Sequence, residues 1–448
     1  MKFLMSTLAL AGAAMGADFA VIVAGSSGYG NYRHQADACH AYQICHKWGI
    51  PDENIITMMY DDIANSIQNP FRGQIFNAPG SDSVDVNKGC KKDYTGMDVT
   101  PDNFLAVLTG DATKVPEGKP VLNSTSTDRV FINFVDHGGV GSIAFPHSLL
   151  SKSKLLDALK TAHSKQMFEK MVFYLEACES GSMFSGDVLD PSMNIYATTA
   201  ANADESSWGT YCPPQDTVNG KHLNTCLGDL YSVNWMQNAE KAGQDETLAA
   251  QFSQVQKLTT KSHVSKFGDE DFTSDPIGDY MGNGDSSKNV SRAAAHRVVK
   301  NSADGGDETP PERANEAGMV SSRDIPVHLA YYSFIRADSS DLAAVQASAQ
   351  RLKDQIDARV RADTLFYTLA HAFNKPHVLT AKAHMGDCPN SCCDTVNDMV
   401  YAVCGGYTDY SLKFIKTVHN LCVEMGGDGK MLAEKVNSLC TAGSHRSN

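Results

Sequence analysis

The chain lacks an excess of basic residues and has no apolar segment long enough to cross a membrane. Its 448 residues include 38 Lys and Arg against 52 Asp and Glu, a formal net charge of −14. Because phosphate recognition needs a basic surface, this balance disfavours a nucleic acid as a partner. The apolar run at residues 3–14 is too short for the roughly 30 Å hydrocarbon layer, and no later stretch is long enough either.

The first 17 residues have the layout of a cleavable secretory signal. Lys2 precedes the apolar run, and small residues follow it at Gly16 and Ala17. The mature chain is therefore expected to begin near Ala17 or Asp18. Entry into the secretory pathway makes the sequons at Asn123 and Asn289 candidate glycosylation sites.

Twelve cysteines in a chain that enters an oxidising compartment argue for disulfides. Six of them lie between Cys388 and Cys440, which indicates a stapled C-terminal module. Cys212 and Cys226 bracket a segment rich in Pro, Gly and Asn, which is typical of a loop closed by a bridge.

The pattern predicts an α/β fold, with a mainly parallel sheet flanked by helices over residues 18–300. The predicted strands are 19–24, 55–60, 130–135, 171–175 and 194–199. A helix around residues 155–163 joins the third strand to the fourth in a βαβ unit, which places both strands parallel. Residues 137 and 178 should therefore emerge at the same carboxyl edge of the sheet, where open α/β sheets bind ligands.

A domain boundary is expected at residues 301–323, because Gly-Gly, Pro-Pro and many small polar residues fit an exposed, protease-sensitive linker. The remainder, residues 324–448, is predicted to be a small disulfide-containing α-helical domain. Its clearest helix lies between Asp341 and Phe373, where apolar residues recur at helical spacing.

Cys178 lies where the predicted strand at 171–175 meets a turn rich in Gly and Ser, in the sequence FYLEACESGS. A strand end displays a thiol well, and turn amides can lower its pKa and stabilise an oxyanion. By itself, however, a buried structural cysteine is the commoner interpretation.

His137 ends the neighbouring predicted strand and is followed by Gly138 and Gly139, in the sequence FINFVDHGG. An imidazole there could take the thiol proton of Cys178 and later protonate a leaving amine. The alternatives are a structural hydrogen bonder and a metal ligand. The metal is disfavoured because no second His or Cys lies nearby at ligand spacing, and no cofactor is expected.

The chain resembles the legumain (asparaginyl endopeptidase) family over nearly its whole length. The matching segments occur in one order: VIVAGSS at 21–27, NYRHQADACHAYQ at 31–43, MYDDIA at 59–64, KDYTG at 92–96, VDHG at 135–138, EACESGS at 176–182, YATTAAN at 196–202 and LGDLYSVNW at 227–235. The resemblance implies a caspase-like catalytic domain, followed by a helical, disulfide-containing prodomain that covers the active site and acts as an intramolecular inhibitor. It also implies protein and peptide substrates and cystatin-type inhibitors.

Transferred by residue, the resemblance makes Cys178 the nucleophile and His137 the general base and acid. The amides of Gly138 and Cys178 would form the oxyanion hole, and Asn31 would orient the imidazole. The specificity pocket would be formed by Arg33, His34, Glu176, Ser206, Ser207 and Asp229. An asparagine amide both donates and accepts hydrogen bonds, so a selective pocket needs a cationic donor beside anionic acceptors. Without the resemblance, a surface ion-pair network would be the favoured explanation of these charges.

The protein is therefore expected to be an acid-active endopeptidase that cleaves after Asn and more weakly after protonated Asp. Its expected location is a lysosomal, vacuolar or secreted digestive compartment. It would be made as a zymogen, with Asn301 and Asn315 as candidate self-cleavage sites. Two alternatives remain. One is an Asn-specific transpeptidase that uses the same Cys and His, and the other is an inactive binding protein or transamidase subunit.

The sequence departs from the family pattern at Cys45 and Cys90, which could pair or stay free. It also departs in having six cysteines in the prodomain where relatives need four, so their connectivity is open.

Overall fold

The central element is a six-stranded, mainly parallel sheet, seen in a computed structural model that describes residues 16–283, 318–384 and 388–444. The order is β13-β8-β7-β3-β1-β2, and only β13 is antiparallel to its neighbour. Its strands are β1 (Asp18–Ala24), β2 (Ile55–Met59), β3 (Arg129–Val135), β7 (Lys170–Glu176), β8 (Ile195–Thr199) and β13 (Ser265–Gly268).

The sheet is buried on both faces, as parallel sheets generally are. Alternate residues of β1 point to opposite faces, with Ala20 and Ile22 in one apolar cluster and Val21 and Val23 in the other. The first cluster packs against α1 and α4, and the second against α2 and α3. These helices are α1 (Tyr32–Trp48), α2 (Pro101–Leu108), α3 (Lys152–Ser164) and α4 (Leu230–Ala242).

Smaller elements complete the N-terminal part. The short strands are β4 (Gly138–Gly139), β5 (Ser142–Phe145), β6 (Ser148–Ser151), β9 (Trp208–Thr210), β10 (Thr217–Val218), β11 (Lys221–His222) and β12 (Gly228–Asp229). Two further helices are α5 (Leu248–Leu258) and α6 (Gly278–Met281).

The predicted βαβ unit is confirmed. Strand β3 runs parallel to β7, and Val135 pairs with Glu176 at the last position of the register. The chain therefore leaves both strands at one edge, where residues 136–138 lie beside residues 177–179.

The C-terminal part is helical, with its own apolar cluster that runs from Phe366 to Val436. It begins with β14 (Val320–Ser321) and continues with α7 (Ile325–Ile335), α8 (Leu342–Ala372), α9 (Cys392–Cys404), α10 (Ile415–Glu424) and α11 (Gly429–Ser444). Among the described residues, no helix is long and apolar enough to cross a bilayer.

One expectation about the linker does not hold. Residues 318–323 were expected to be exposed, but Val320 pairs with Gly209 and Ser321 with Trp208, so that β14 extends the edge of β9. Ser322 is 2% exposed and Arg323 is 6% exposed. Backbone pairing and the buried ion pair of Arg323 override the polar composition. Asn289, Asn301 and Asn315, like most of the expected signal sequence, lie outside the described residues, whereas Asn123 is exposed.

The cysteine pairing resolves the open questions. The expected Cys212–Cys226 bridge is present. Cys90 pairs with Cys39, whereas Cys45 stays free and buried. The C-terminal bridges are Cys388–Cys393, Cys392–Cys422 and Cys404–Cys440.

Candidate active site

Cys178 lies two residues beyond the end of β7, in a turn that Glu179 continues with a left-handed φ of 47°. The thiol is buried, and Ser207 Oγ lies 3.8 Å from its sulfur. Burial raises the pKa of the Cys178 thiol, while the positive charge of Arg323 opposes that shift. The residue is therefore placed as a nucleophile would be, but its environment favours the unreactive thiol.

His137 follows the end of β3 and is held by Asn31. The two side chains meet at Nε2 of the imidazole and Oδ1 of the amide, 2.9 Å apart, and Asn31 Nδ2 donates to the Ser27 carbonyl at 3.0 Å. That second bond fixes the amide so that its oxygen accepts from Nε2–H. Nδ1, which has no hydrogen-bond partner among the described residues, is then the basic nitrogen.

Gly138 brings the ends of the two strands together. A Cβ on this residue would lie 2.3 Å from the Cys178 carbonyl oxygen and 3.0 Å from the Ala177 side chain. Any larger residue would push the imidazole and the sulfur apart. This close approach explains why His137 is followed by a residue without a side chain.

A buried polar pocket lies beside the thiol. Arg33 Nε donates to Asp229 Oδ1 at 2.9 Å, and His34 Nε2 lies 3.5 Å from Asp229 Oδ2. Glu176 Oε2 accepts from both the backbone and the side chain of Ser232, each at 3.2 Å. Three atoms in this cluster are buried without a hydrogen-bond partner among the described residues: Arg33 Nη2, Glu176 Oε1 and Asp229 Oδ2. One unpaired donor and two unpaired acceptors leave the pocket incomplete without a ligand.

Ser207 links this pocket to the thiol, because its hydroxyl lies 3.8 Å from the Cys178 sulfur and the residue is close to the Glu176 carboxylate. Ser206, the preceding residue, is half-buried. The structure thus brings together every predicted pocket residue except Ser206, for which no contact to the pocket is seen.

Asp37 also supports the pocket, although sequence reasoning missed it. Its Oδ2 accepts from the Asp229 amide at 2.9 Å and its Oδ1 from Asn77 Nδ2 at 2.7 Å. Burial raises the pKa of Asp229, and it raises the pKa of Asp37 and Glu176 well above their usual range. The available signal was its position four residues after Arg33, which puts both side chains on one face of α1.

His34, Asp136 and His137 offer nitrogen and oxygen atoms that all lie within 4.8 Å of one another, as metal ligands would. Burial and the charge of Arg33 hold the pKa of His34 well below its usual range, which keeps the ring neutral but does not by itself disfavour a metal. The same guanidinium would repel a metal cation. His34 Nδ1 is also already engaged by Ser26 Oγ at 2.6 Å. The cluster therefore suits a neutral hydrogen-bond network better than a metal.

Two C-terminal residues cover the catalytic edge. Arg323 Nη2 donates to Glu179 Oε2 and to the Gly138 carbonyl, both at 2.6 Å, and its Nη1 donates to the Asp409 carbonyl at 2.8 Å. Asp409 Oδ1 lies 3.3 Å from His137 Nε2. Burial lowers the pKa of His137 to about 4, against the raising effect of Asp409. Neither residue carried a sequence signal for this role.

Comparison with known proteins assigns the sequence that forms this site to a family. Residues 18–283 match the model described as the peptidase C13 family. The chain belongs to the peptidase C13 family.

Full-length relatives agree. This C13 peptidase is 36% identical over 440 residues to a vacuolar-processing enzyme beta-isozyme 1 of Oryza sativa subsp. japonica, with 94% of this chain and 84% of the rice protein covered. It is 36% identical over 428 residues to a legumain of Canavalia ensiformis, with 91% of this chain and 85% of that legumain covered. The chain is thus a cysteine endopeptidase, as the sequence predicted.

A solved structure is also similar. Caspase-1 from Spodoptera frugiperda matches with a TM-score of 0.36 and 8% identity, over 61% of this chain and 92% of the caspase. The confirmed fold class rests on the sheet and the helices described above.

Proposed function

We propose that this C13 peptidase hydrolyses peptide bonds after Asn, and more weakly after Asp at acidic pH, and that it is made as a zymogen. The observation that carries the proposal is the trio of unpaired buried atoms beside the thiol, Arg33 Nη2, Glu176 Oε1 and Asp229 Oδ2. An asparagine side chain would satisfy all three, because its carbonyl accepts from Arg33 and its NH₂ group donates to the two carboxylates.

The chemistry would follow from the two strand ends. Nδ1 of His137 takes the proton of the Cys178 thiol, and the thiolate attacks the carbonyl carbon of the bond after Asn. The amides of Gly138 and Cys178 stabilise the oxyanion. The protonated imidazole then gives its proton to the leaving amine, and water hydrolyses the thioester on Cys178. Asn31 holds the ring in the tautomer that this sequence requires.

Aspartic acid would be accepted only when protonated, since its neutral carboxyl also offers a donor and an acceptor. An ionised side chain would face Glu176 and Asp229, and like charges in a buried pocket repel strongly. Cleavage after Asp should therefore grow relative to cleavage after Asn as the pH falls.

The C-terminal region would act as the inhibitor. Arg323 lies over the catalytic edge through Glu179 and Gly138, while Asp409 faces the imidazole. Acid would release it in part through His137, because burial in the closed zymogen lowers the pKa of this residue to about 4. Opening exposes the ring and raises its pKa toward the usual 6.5 or so, so protons bind more tightly to the open form. The bias toward opening grows as the pH falls from about 6.5 through 4.

Activation would then require cleavage of the chain between the two parts. The residue placed against the catalytic edge is Arg323, which does not fit a pocket for Asn. The candidate bonds after Asn301 and Asn315 both precede β14 in the chain. We therefore expect cleavage upstream of the docked segment, in an acidic vacuolar or lysosomal compartment that is reached through the secretory pathway.

Two matched fluorogenic peptides that differ only in Asn or Asp before the scissile bond test the proposal. After acid activation, cleavage after Asn should dominate at every pH, and the Asp/Asn rate ratio should rise as the pH falls. A ratio that rises toward neutrality would refute the assigned pocket. Labelling by an electrophilic Asn-directed probe, lost in Cys178→Ala, identifies the nucleophile.

A further inference from the structure

A fork of hydrogen bonds joins the C-terminal helices to a loop of the N-terminal part. Arg336, directly after α7, donates from Nη1 to Asp216 Oδ2 at 2.9 Å and to Asn224 Oδ1 at 2.8 Å, and from Nη2 to Asp216 Oδ1 at 2.9 Å. The Asp216 side chain is 0% exposed and that of Arg336 is 19% exposed. This is the bidentate geometry in which a carboxylate recognises a guanidinium rather than a simple point charge.

All acceptors of these hydrogen bonds lie in one loop, residues 212–226, which is held by contacts of its own. The Cys212–Cys226 disulfide closes it, and Asp216 Oδ2 also accepts from the Asn224 amide at 2.6 Å. His222 Nδ1 lies 3.1 Å from Asp216 Oδ1. None of these supports comes from the C-terminal region, so the acceptors should keep their arrangement when α7 departs. Although burial opposes it, pairing with Arg336 lowers the pKa of Asp216, which keeps the carboxylate charged.

The loop lies on the path that an extended chain takes away from the thiol. Strand β14 runs along β9, and Gly318 accepts a hydrogen bond from the Cys212 amide at 2.9 Å. A substrate that pairs with β9 in the same way would reach the loop with residues that precede its scissile bond. The helix α7 spans about 16 Å, at 1.5 Å per residue, between the catalytic edge and Arg336. An extended peptide covers that length in about five residues.

We propose that Asp216 and Asn224 form a recognition site for a guanidinium group on the substrate, about four to six residues before the cleaved Asn. In the zymogen Arg336 fills this site, and removal of the prodomain opens it to arginine-bearing protein segments. The inference rests on the proposed function, since it adds a second contact to the same cleavage reaction.

Fluorogenic peptides with Asn before the scissile bond and either Arg or citrulline at one of these three upstream positions test the site with mature enzyme. Citrulline keeps the shape of arginine but carries no charge. We expect kcat/KM to be about tenfold higher for Arg than for citrulline at one position, as a charge-assisted pair with a rigid acceptor provides.

Two variants connect any preference to the loop. Asn224→Gly removes one acceptor and keeps the backbone, because Asn224 has a φ of 57° that glycine adopts freely. Asp216→Asn removes the charge. Both should reduce the Arg/citrulline ratio, Asp216→Asn to near one, and the ratio is measured within each variant, so that a general loss of activity cancels. Lys221→Gln, in the same loop, is the matched control and should keep the wild-type ratio.

Equal rates for Arg and citrulline at all three positions in the wild-type enzyme would overturn the site, even if neither variant folds. A preference that survives in both folded variants would overturn the assignment to Asp216 and Asn224. If no peptide with Asn is cleaved by the acid-treated protein, the proposed function fails instead.

Discussion

Replacing Arg323 by Gln should release the C-terminal region from the catalytic edge at neutral pH. Its guanidinium is paired at 2.6 Å with Glu179, and the two side chains are 7% and 11% exposed. Removing one partner of a buried ion pair costs about 3–5 kcal/mol, because the other charge stays desolvated and unpaired. Since burial raises the pKa of Glu179, this carboxyl can escape part of that cost by taking up a proton. We therefore use the lower end, about 3 kcal/mol, which corresponds to a change of about 100-fold in the docking equilibrium.

The assay is the rate at which an electrophilic Asn-directed probe labels Cys178 at pH 7. The background carries Asn301→Gln and Asn315→Gln, so that the chain is not cut at either candidate cleavage site. Labelling should become about 100-fold faster in Arg323→Gln. Loss of the nearby positive charge would by itself make the thiol less acidic and slow the reaction in the closed form, since Arg323 opposes the raised pKa of Cys178. A faster rate therefore reports opening.

Lys353→Gln is the matched control. Lys353 pairs with Asp357 on the solvent side of α8, where an ion pair contributes little. It should label at the wild-type rate. If Arg323→Gln also labels at that rate while its thermal unfolding is unchanged, the role assigned to the buried pair is wrong.

Three other outcomes follow from the structure. Labelling of the wild-type zymogen should accelerate as the pH falls from about 6.5 toward 4, because the shift in His137 between its usual pKa and about 4 favours opening by up to about 3 kcal/mol; a flat profile would contradict the linkage. Combined Cys39→Ser and Cys90→Ser should lower the free energy of unfolding by about 4 kcal/mol in a urea titration, as expected for a bridge with a sequence separation of 51; a change below about 1 kcal/mol would mean that the unfolded chain is not constrained there. Replacing both Asn301 and Asn315 by Gln should leave a single chain on a denaturing gel after acid incubation, and normal processing would move the cleavage to another bond.

The strands and their edge were predictable because both faces of a parallel sheet are apolar. Runs such as residues 130–135 and 171–175 are therefore legible without long-range information, and the βαβ rule then places His137 beside Cys178. The expected pocket residues Arg33, Glu176 and Asp229 depended on the resemblance to known peptidases, since buried charges look like surface charges in a sequence.

What sequence reasoning missed depends on contacts between distant segments. Asp409 approaches His137 although the two residues are far apart in the sequence, and no local pattern records such a contact. Arg323 is the last residue of a stretch whose composition indicates an exposed linker. The Cys39–Cys90 pairing is of the same kind, because connectivity cannot be read from cysteine spacing alone.

The pairing of β14 with β9 has a consequence for the activation proposed above. The docked strand, Arg323 and Asp409 all belong to the C-terminal side of any cut made after Asn301 or Asn315. Such a cut would break the covalent connection but leave the C-terminal region bound at the catalytic edge. An internal segment would then become a separate ligand, held only by its own affinity. From then on, activity should depend on dilution, with the peptidase escaping its former tail as the concentration drops below the dissociation constant of the pair.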